Sequence, residues 1–364
     1  MKIVLMHQTV TNHDAIGNDI EIMYGILKER YECFVYAQNC FNSHVEYIAD
    51  EKLEEILQDE NNIVLYHHSV FWEMGETFLR AAQAKIVFRY HNITPEGFFE
   101  GYNEHHYSQC KLGRLQTVRL AKDFKKALWL CDSWYNAEDV EEYVEKERIA
   151  ICPPFNKIEE WGSKVPDEQI LRELLHSQTI NLLFVGRVAP NKGHLQLLDV
   201  LYSFCRNYEE RIKLRIVGKF DEGLPLYNDL IKNRMIEYGL EECVEFIGEI
   251  NDATLMSYYL GSDVFLCLSE HEGFCVPLIE ANYFEIPVIA KDTSAICETL
   301  GKKQLILADD MKAYAAGIHV IMNQKAARDM LIEAGRNNYA SRFTCTEIKK
   351  IFCGILNEKY NMGL

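Results

Sequence analysis

Eleven short apolar runs, each four to six residues long, recur along the chain and fix what it can fold into. In the first half they are Ile3-Val-Leu-Met, Cys33-Phe-Val-Tyr, Ile63-Val-Leu-Tyr, Ile86-Val-Phe-Arg-Tyr and Ala127-Leu-Trp-Leu-Cys. Runs this short, bounded by turn residues, suit strands buried on both faces rather than helices. The stretches between them, such as Asp19 to Glu29 and Leu115 to Lys126, have helical patterns and can serve as crossovers. Strand and helix in alternation predict an α/β chain with a doubly wound parallel sheet.

The alternation breaks at Ile149-Ala-Ile-Cys-Pro-Pro-Phe, where a double proline suits a domain joint. It resumes with Asn181-Leu-Leu-Phe-Val-Gly, Leu214-Arg-Ile-Val-Gly, Val244-Glu-Phe-Ile-Gly, Val264-Phe-Leu-Cys-Leu, Pro287-Val-Ile-Ala and Gln304-Leu-Ile-Leu. Two Rossmann-like domains follow, over residues 1–155 and 156–345, with a helical tail at 346–364. In such sheets ligands sit beyond the carboxyl ends of the strands, and two domains favour a site in the cleft between them.

Composition narrows the choice. The net charge of −17 lacks the basic footprint that nucleic-acid binding needs. The N-terminal Met-Lys-Ile-Val-Leu-Met-His turns polar too soon for a secretory signal, and no apolar run approaches the ~18 residues of a membrane span. A cytoplasmic protein is the expectation. The twelve cysteines lie scattered with no Cys-x-x-Cys pair, which favours free buried thiols over a zinc site or a disulfide framework. One segment opposes the overall charge: Lys111–Lys126 carries six cations against Asp123 alone, a net charge of +5. A solvated face is the plain reading, and attraction to an anionic membrane surface or a lipid-diphosphate acceptor is the functional one.

Two stretches carry chemistry. Ser269–Ala290 joins two apolar runs through a loop with Glu272 and Gly273, then Pro277, which suits a first helical position. A glycine loop feeding a helix N-terminus aims free N–H groups at one spot, and a carboxylate there can accept from hydroxyls. Phe-Val-Gly186-Arg187-Val-Ala-Pro-Asn-Lys192-Gly193 also follows a strand, and its Arg and Lys are placed to hold a diphosphate. His91 stands at the end of a first-domain strand, with Asn92 and Glu96 nearby as weaker candidates. His67 and His68 are read as structural, and Asp309-Asp310 as a helix cap. The loop after the first strand contains His13, Gly17 and Asp19.

Glu272, Gly273, Phe274, Pro277 and Glu280 together resemble the nucleotide-sugar signature of the family 4 glycosyltransferases, in which seven residues separate two glutamates. Cys275 stands where glycine or alanine is usual in that family. The Gly186–Gly193 loop is similar to the family's phosphate-gripping loop, and His91-Asn-Ile-Thr-Pro to a segment of some members. The resemblance implies the GT-B architecture of two Rossmann-like domains, whose last helix crosses back to the first domain. It implies a retaining, metal-independent hexosyltransferase, with no cofactor. The donor would be a nucleotide diphosphate-sugar, GDP-mannose first and a UDP-sugar next. The acceptor would be a glycan or lipid-linked saccharide of surface polysaccharide or lipopolysaccharide assembly. Arg187 and Lys192 would neutralise the diphosphate, Glu272 hold the sugar hydroxyls, Glu280 the ribose, and His91 the donor sugar. Gly17, Gly186, Gly273, Phe274, Cys275 and Val276 would line the donor. A phosphorylase or sugar-phosphate synthase of the same architecture is the rival enzyme, and a two-lobed sugar-binding protein the rival outside enzymes.

Overall fold

The computed structural model of the chain describes residues 1–12 and 14–364; His13, part of the loop after the first strand, lies outside the described residues. Among the described residues, twelve strands form two six-stranded parallel sheets. The first sheet takes β1 (Lys2–Val10), β2 (Glu32–Cys40), β3 (Ile63–His68), β4 (Lys85–Tyr90), β5 (Leu128–Cys131) and β6 (Ile149–Ile151), in the order β2-β1-β3-β4-β5-β6. The second takes β7 (Ile180–Val185), β8 (Ile212–Val217), β9 (Val244–Gly248), β10 (Val264–Cys267), β11 (Val288–Lys291) and β12 (Leu305–Leu307), in the order β12-β11-β10-β7-β8-β9. β6 is the strand that the apolar runs do not reveal, because it abuts Pro153 and Pro154.

The runs are continuous rather than alternating because both faces of the first sheet are covered. Val4, Met6, Val64, Tyr66, Phe88 and Trp129 face one way, onto Leu53, Ile56, Trp72, Leu79 and Leu120. Ile3, Leu5, Ile63, Leu65, Val87 and Leu128 face the other way. There they meet Ile20, Met23 and Leu27 of the helix Ala15–Lys28, and Ile348, Phe352 and Leu356 of the helix Cys345–Tyr360. Each such fully buried side chain contributes roughly 1.5–3 kcal/mol, so the terminal helix is fixed to this sheet by its apolar stripe. In the second sheet Leu183, Phe265, Val288 and Ala290 pack on Tyr259, Leu278 and Ala281.

Contacts divide the chain into unit 1 (1–96, 105–157 and 343–364) and unit 2 (97–104 and 158–342). The boundaries thus fall at Lys157 and Phe343, and residues 97–104, counted above with the first domain, group with the second. Among the described residues no helix is long and apolar enough to cross a membrane. The helix Glu104–Asp123 ends before Lys125 and Lys126, so two of the six cations stand in the following turn. Two more are paired: Arg114 with Asp139 at 3.3 Å and Arg119 with Glu76 at 3.0 Å. All twelve cysteines are free, but only five are buried, and Cys205 is exposed. Asp310 caps the helix Met311–Asn323, accepting from the N–H groups of Lys312 and Ala313, whereas Asp309 pairs with Lys291 at 3.1 Å.

Candidate functional site

Strand order locates the crevice in each unit. In unit 2, β7 lies between β8 and β10, and the chain winds outward in opposite directions from there. The crevice of a doubly wound sheet opens at that reversal, beyond the carboxyl ends of the strands. The loops after β7 and β10 therefore meet there, and these are the two chemistry-bearing stretches. Gly193 adopts φ +70°, and a Cβ added to it would stand 2.0 Å from the Leu268 carbonyl oxygen. Only glycine lets the β7 loop lie against the end of β10. Buried Asn191 laces them further: its carbonyl accepts from Glu270 and His271 N–H, and its side chain donates to the His271 carbonyl.

That contact brings Lys192 Nζ to 2.7 Å from Glu272 Oε1 across 80 residues of sequence. Burial disfavours the lysine's charge, yet the adjacent carboxylate outweighs it and raises the ammonium above its ordinary pKa. Glu272 is itself nearly buried, and its N–H donates to Ser294 Oγ at 2.9 Å. Arg187 is different: 55% exposed, it reaches Asp221 at 3.4 Å.

The Glu272–Glu280 segment enters its helix through Cys275, which adopts φ +74°, in the left-handed region that favours glycine. Val276 is the first residue of the helix Val276–Tyr283, so Pro277 takes the second position and not the first. Neither Cys275, which precedes this helix, nor Gly193, which precedes the helix His194–Asn207, supplies a side-chain cap. Helix N-termini suit anionic oxygen. Gly273 sits in the bend, Phe274 is buried, and Gly186 turns the chain at the end of β7. Glu280, half-buried one turn into its helix, accepts from the Tyr259 hydroxyl at 2.5 Å. Burial pushes its carboxyl up to about 7, against the stabilising hydroxyl. The loops together offer two cations, two carboxylates and two helix N-termini. Such a set can bind a ligand that is anionic at one end and hydroxyl-bearing at others.

In unit 1 the winding reverses between β1 and β3, and the residues there form a different kind of cluster. Gly17 lies in the first turn of its helix, and a Cβ would stand 2.0 Å from the Thr11 carbonyl oxygen; the glycine serves the return of the loop. Asp19 is fully buried, and its Oδ2 accepts from Arg89 Nε at 2.8 Å. Arg89 also pairs with Asp132 at 2.8 Å, and Asp132 accepts from His91 Nδ1 at 3.0 Å. His91 Nε2 lies 3.0 Å from His67 Nδ1, so both ring nitrogens of His91 are engaged within unit 1. Asn92 bonds Asn136, and His68 bonds Thr117, both buried. Glu96 opens a single 3₁₀ turn. Asp19, His67 and His91 form the one group among the described residues that could hold a metal ion, with one ligand atom each, all within 4.8 Å.

Sequence reasoning passed over Arg89, Asp132, Tyr259 and Asp221. Arg89 left a signal, being a charged residue inside the apolar run of β4. Asp132 follows β5 directly, at a carboxyl end where polar residues matter. Tyr259 and Asp221 left none.

Residues 167–338 match the family model described as glycosyl transferases group 1. Mannosylfructose-phosphate synthase of Agrobacterium fabrum is 26% identical over 216 residues, covering 57% of this chain and 48% of that protein. A serotype-specific mannosyltransferase, WbdA of Escherichia coli, is 25% identical over 295 residues, covering 72% of this chain and 33% of that protein. The chain thus spans about half the length of such relatives, or less. The crystal structure of Anabaena HepE with UDP and glucose superposes with a TM-score of 0.78 at 16% identity, covering 98% of this chain and all of that one. The Arg187–Lys192 and Glu272–Glu280 loops lie inside the matched segment, and the chain has the GT-B fold.

Proposed function

We propose that the chain is a retaining glycosyltransferase. It would move a hexose from a nucleotide diphosphate-sugar, GDP-mannose first and UDP-sugars next, to a hydroxyl of a glycan or lipid-linked saccharide in surface polysaccharide assembly. One observation carries the reading: the strand reversal of unit 2 brings Lys192 and Glu272 together beside two helix N-termini. Lys192 and Arg187 take the diphosphate, Glu272 the sugar hydroxyls and Glu280 the ribose. The bond from the sugar's anomeric carbon to the diphosphate breaks as the acceptor oxygen bonds to the same face. The acceptor's proton passes to the leaving phosphate oxygen, so no protein base and no metal cofactor is called for. The mannose-transferring relatives support the sugar, and the UDP and glucose bound to HepE support the donor class. Likeness to a sugar-phosphate synthase favours a sugar phosphate as the second candidate acceptor.

The test is release of nucleoside diphosphate from a panel of GDP- and UDP-sugars, with saccharide and sugar-phosphate acceptors offered in turn. Acceptor-dependent release from at least one donor is expected; none from any donor would refute the reading.

Glu280 adds a pH signature. With its carboxyl near 7, it is mostly neutral at pH 6 and mostly ionised at pH 8. Only the ionised form offers both oxygens as acceptors to the ribose. Affinity for the nucleoside diphosphate should therefore rise with pH and level off above about 7, by up to tenfold per unit below it. Calorimetric titration of GDP and UDP from pH 5.5 to 8.5 measures this. The diphosphate titrates too, so Glu280→Gln serves as the reference. If parent and variant give parallel curves, Glu280 does not hold the ribose.

A further inference from the structure

Ser294 of unit 2 holds a backbone conformation that suits glycine better than serine. Its φ is +48°, in the left-handed region that a side chain disfavours. Four other described non-glycine residues share a positive φ: Asn92, Cys275, Glu285 and Asn361. Asparagine tolerates the region, and Glu285 directly follows the C-cap Phe284 of a helix, where a left-handed residue is common. Cys275 and Ser294 remain. Cys275 ends the loop that carries Glu272, and Ser294 binds the same loop from 22 residues away. Strain kept at a non-glycine position points to something the side chain does.

Residues 270–274 belong to neither strand nor helix, so their backbone groups must find partners elsewhere. Residues 293–299, after β11, supply four such bonds. Thr293 Oγ1 donates to the Glu270 carbonyl at 3.1 Å, the Ala295 N–H to the Glu272 carbonyl at 3.3 Å, and Thr299 Oγ1 to the Phe274 carbonyl at 2.7 Å. One short segment thus takes three alternate carbonyls of the loop. The fourth bond runs the other way, the Glu272 N–H donating to Ser294 Oγ at 2.9 Å. Consecutive residues, Ser294 and Ala295, therefore hold both backbone groups of Glu272. Asn191 of the β7 loop binds the same stretch, but only at Glu270 and His271.

We propose that Ser294 is a positioning residue for Glu272: its hydroxyl fixes the backbone from which the carboxylate reaches Lys192 Nζ at 2.7 Å. The role rests on the function proposed above, in which Glu272 receives the hydroxyls of the donor sugar. Glycine at 294 would relax the backbone but leave the Glu272 N–H without its acceptor. Glu272 is only 8% exposed, so water replaces that acceptor poorly. The carboxylate then loses its fixed origin, and small misplacements of a substrate-holding group lower turnover steeply.

Strain and hydroxyl can be separated, because Ser294→Gly removes both and Ser294→Ala removes only the hydroxyl. By scanning calorimetry the glycine variant should melt above the alanine variant, since glycine alone enters the left-handed region freely. Both should nevertheless loosen the Glu272 amide. Hydrogen exchange across residues 270–275 should quicken roughly two- to tenfold in each, the factor that one hydrogen bond is worth. Calorimetric titration with GDP-mannose and UDP-glucose should show a fall of about the same size for whichever the parent binds, and kcat/KM should fall with it. Affinity for GDP and UDP, which lack the sugar, should stay as in the parent.

Unaltered exchange at 270–275 in Ser294→Gly would overturn the proposal. So would losses confined to Ser294→Ala, which would trace them to backbone strain and not to the hydroxyl. An equal loss of affinity for nucleotide and nucleotide-sugar would overturn it as well, since the bond would then support the crevice of unit 2 at large rather than Glu272. Exchange needs neither turnover nor ligand, so the two claims fail separately. A protein that releases no nucleoside diphosphate from any donor would defeat the function proposed above, while the exchange rates would still decide whether Ser294 fixes Glu272.

Discussion

Replacing Arg89 by methionine should lower the stability of unit 1 by about 3–5 kcal/mol, the cost typical of breaking a buried ion pair from one side. The side chain is fully buried and joins three segments: Asp19 of the Ala15–Lys28 helix, Asp132 after β5, and the Cys152 carbonyl after β6. Methionine fills much of the space and supplies none of the charge, leaving two carboxylates in an apolar core. For a domain of this size each kcal/mol shifts the midpoint by about 2–4 °C, so a fall of roughly 10 °C is expected in the transition that includes unit 1. Differential scanning calorimetry measures it. The cause can be isolated by adding Asp19→Asn and Asp132→Asn, which remove the unpaired charges while keeping most of the shape. The triple variant should recover a large part of the loss. A triple variant no more stable than Arg89→Met would mean that packing, not charge, sets the cost.

Arg89 also shows what the sequence could and could not disclose. A charged residue inside Ile86-Val-Phe-Arg-Tyr is visible at once as an oddity in a buried strand. Its partners are not, because Asp19 and Asp132 lie 70 and 43 residues away and meet it only through the order β1-β3-β4-β5. The strands themselves were legible wherever burial on both faces made a run continuously apolar. β6 was not, since its three residues run straight into the prolines that mark a break. The Gly186–Gly193 and Glu272–Glu280 loops were legible because glycine, proline and charge must fall at fixed spacings for a strand to turn into a helix. Their mutual contact was not: that depends on Gly193 lying against Leu268, a fact of the fold between distant residues. Nor did the order of the chain reveal that residues 97–104 group with unit 2, because linear position says nothing about which unit a segment will pack on; that the last helix groups with unit 1 was implied by the family resemblance alone.

The second large effect falls on Lys192. Its replacement by alanine should reduce turnover about 10²–10³-fold, the loss typical of a charge-stabilising donor removed from an active site. Arg187→Ala should mainly weaken donor binding, by roughly tenfold or less, because an exposed cation is screened by water. The contrast follows from their surroundings: Lys192 is 23% exposed and held 2.7 Å from Glu272, whereas Arg187 is 55% exposed and 3.4 Å from Asp221. A cation with little water around it acts through a lower effective dielectric and stabilises charge developing on a leaving phosphate more strongly. One confusion must be removed, since alanine at 192 also strands the carboxylate of Glu272. Lys192→Ala combined with Glu272→Gln relieves that stranded charge, and it should recover thermal stability while turnover stays low. Should the double variant regain turnover along with stability, Lys192 would be no more than the counterion of Glu272, and the diphosphate would have to be held by other groups.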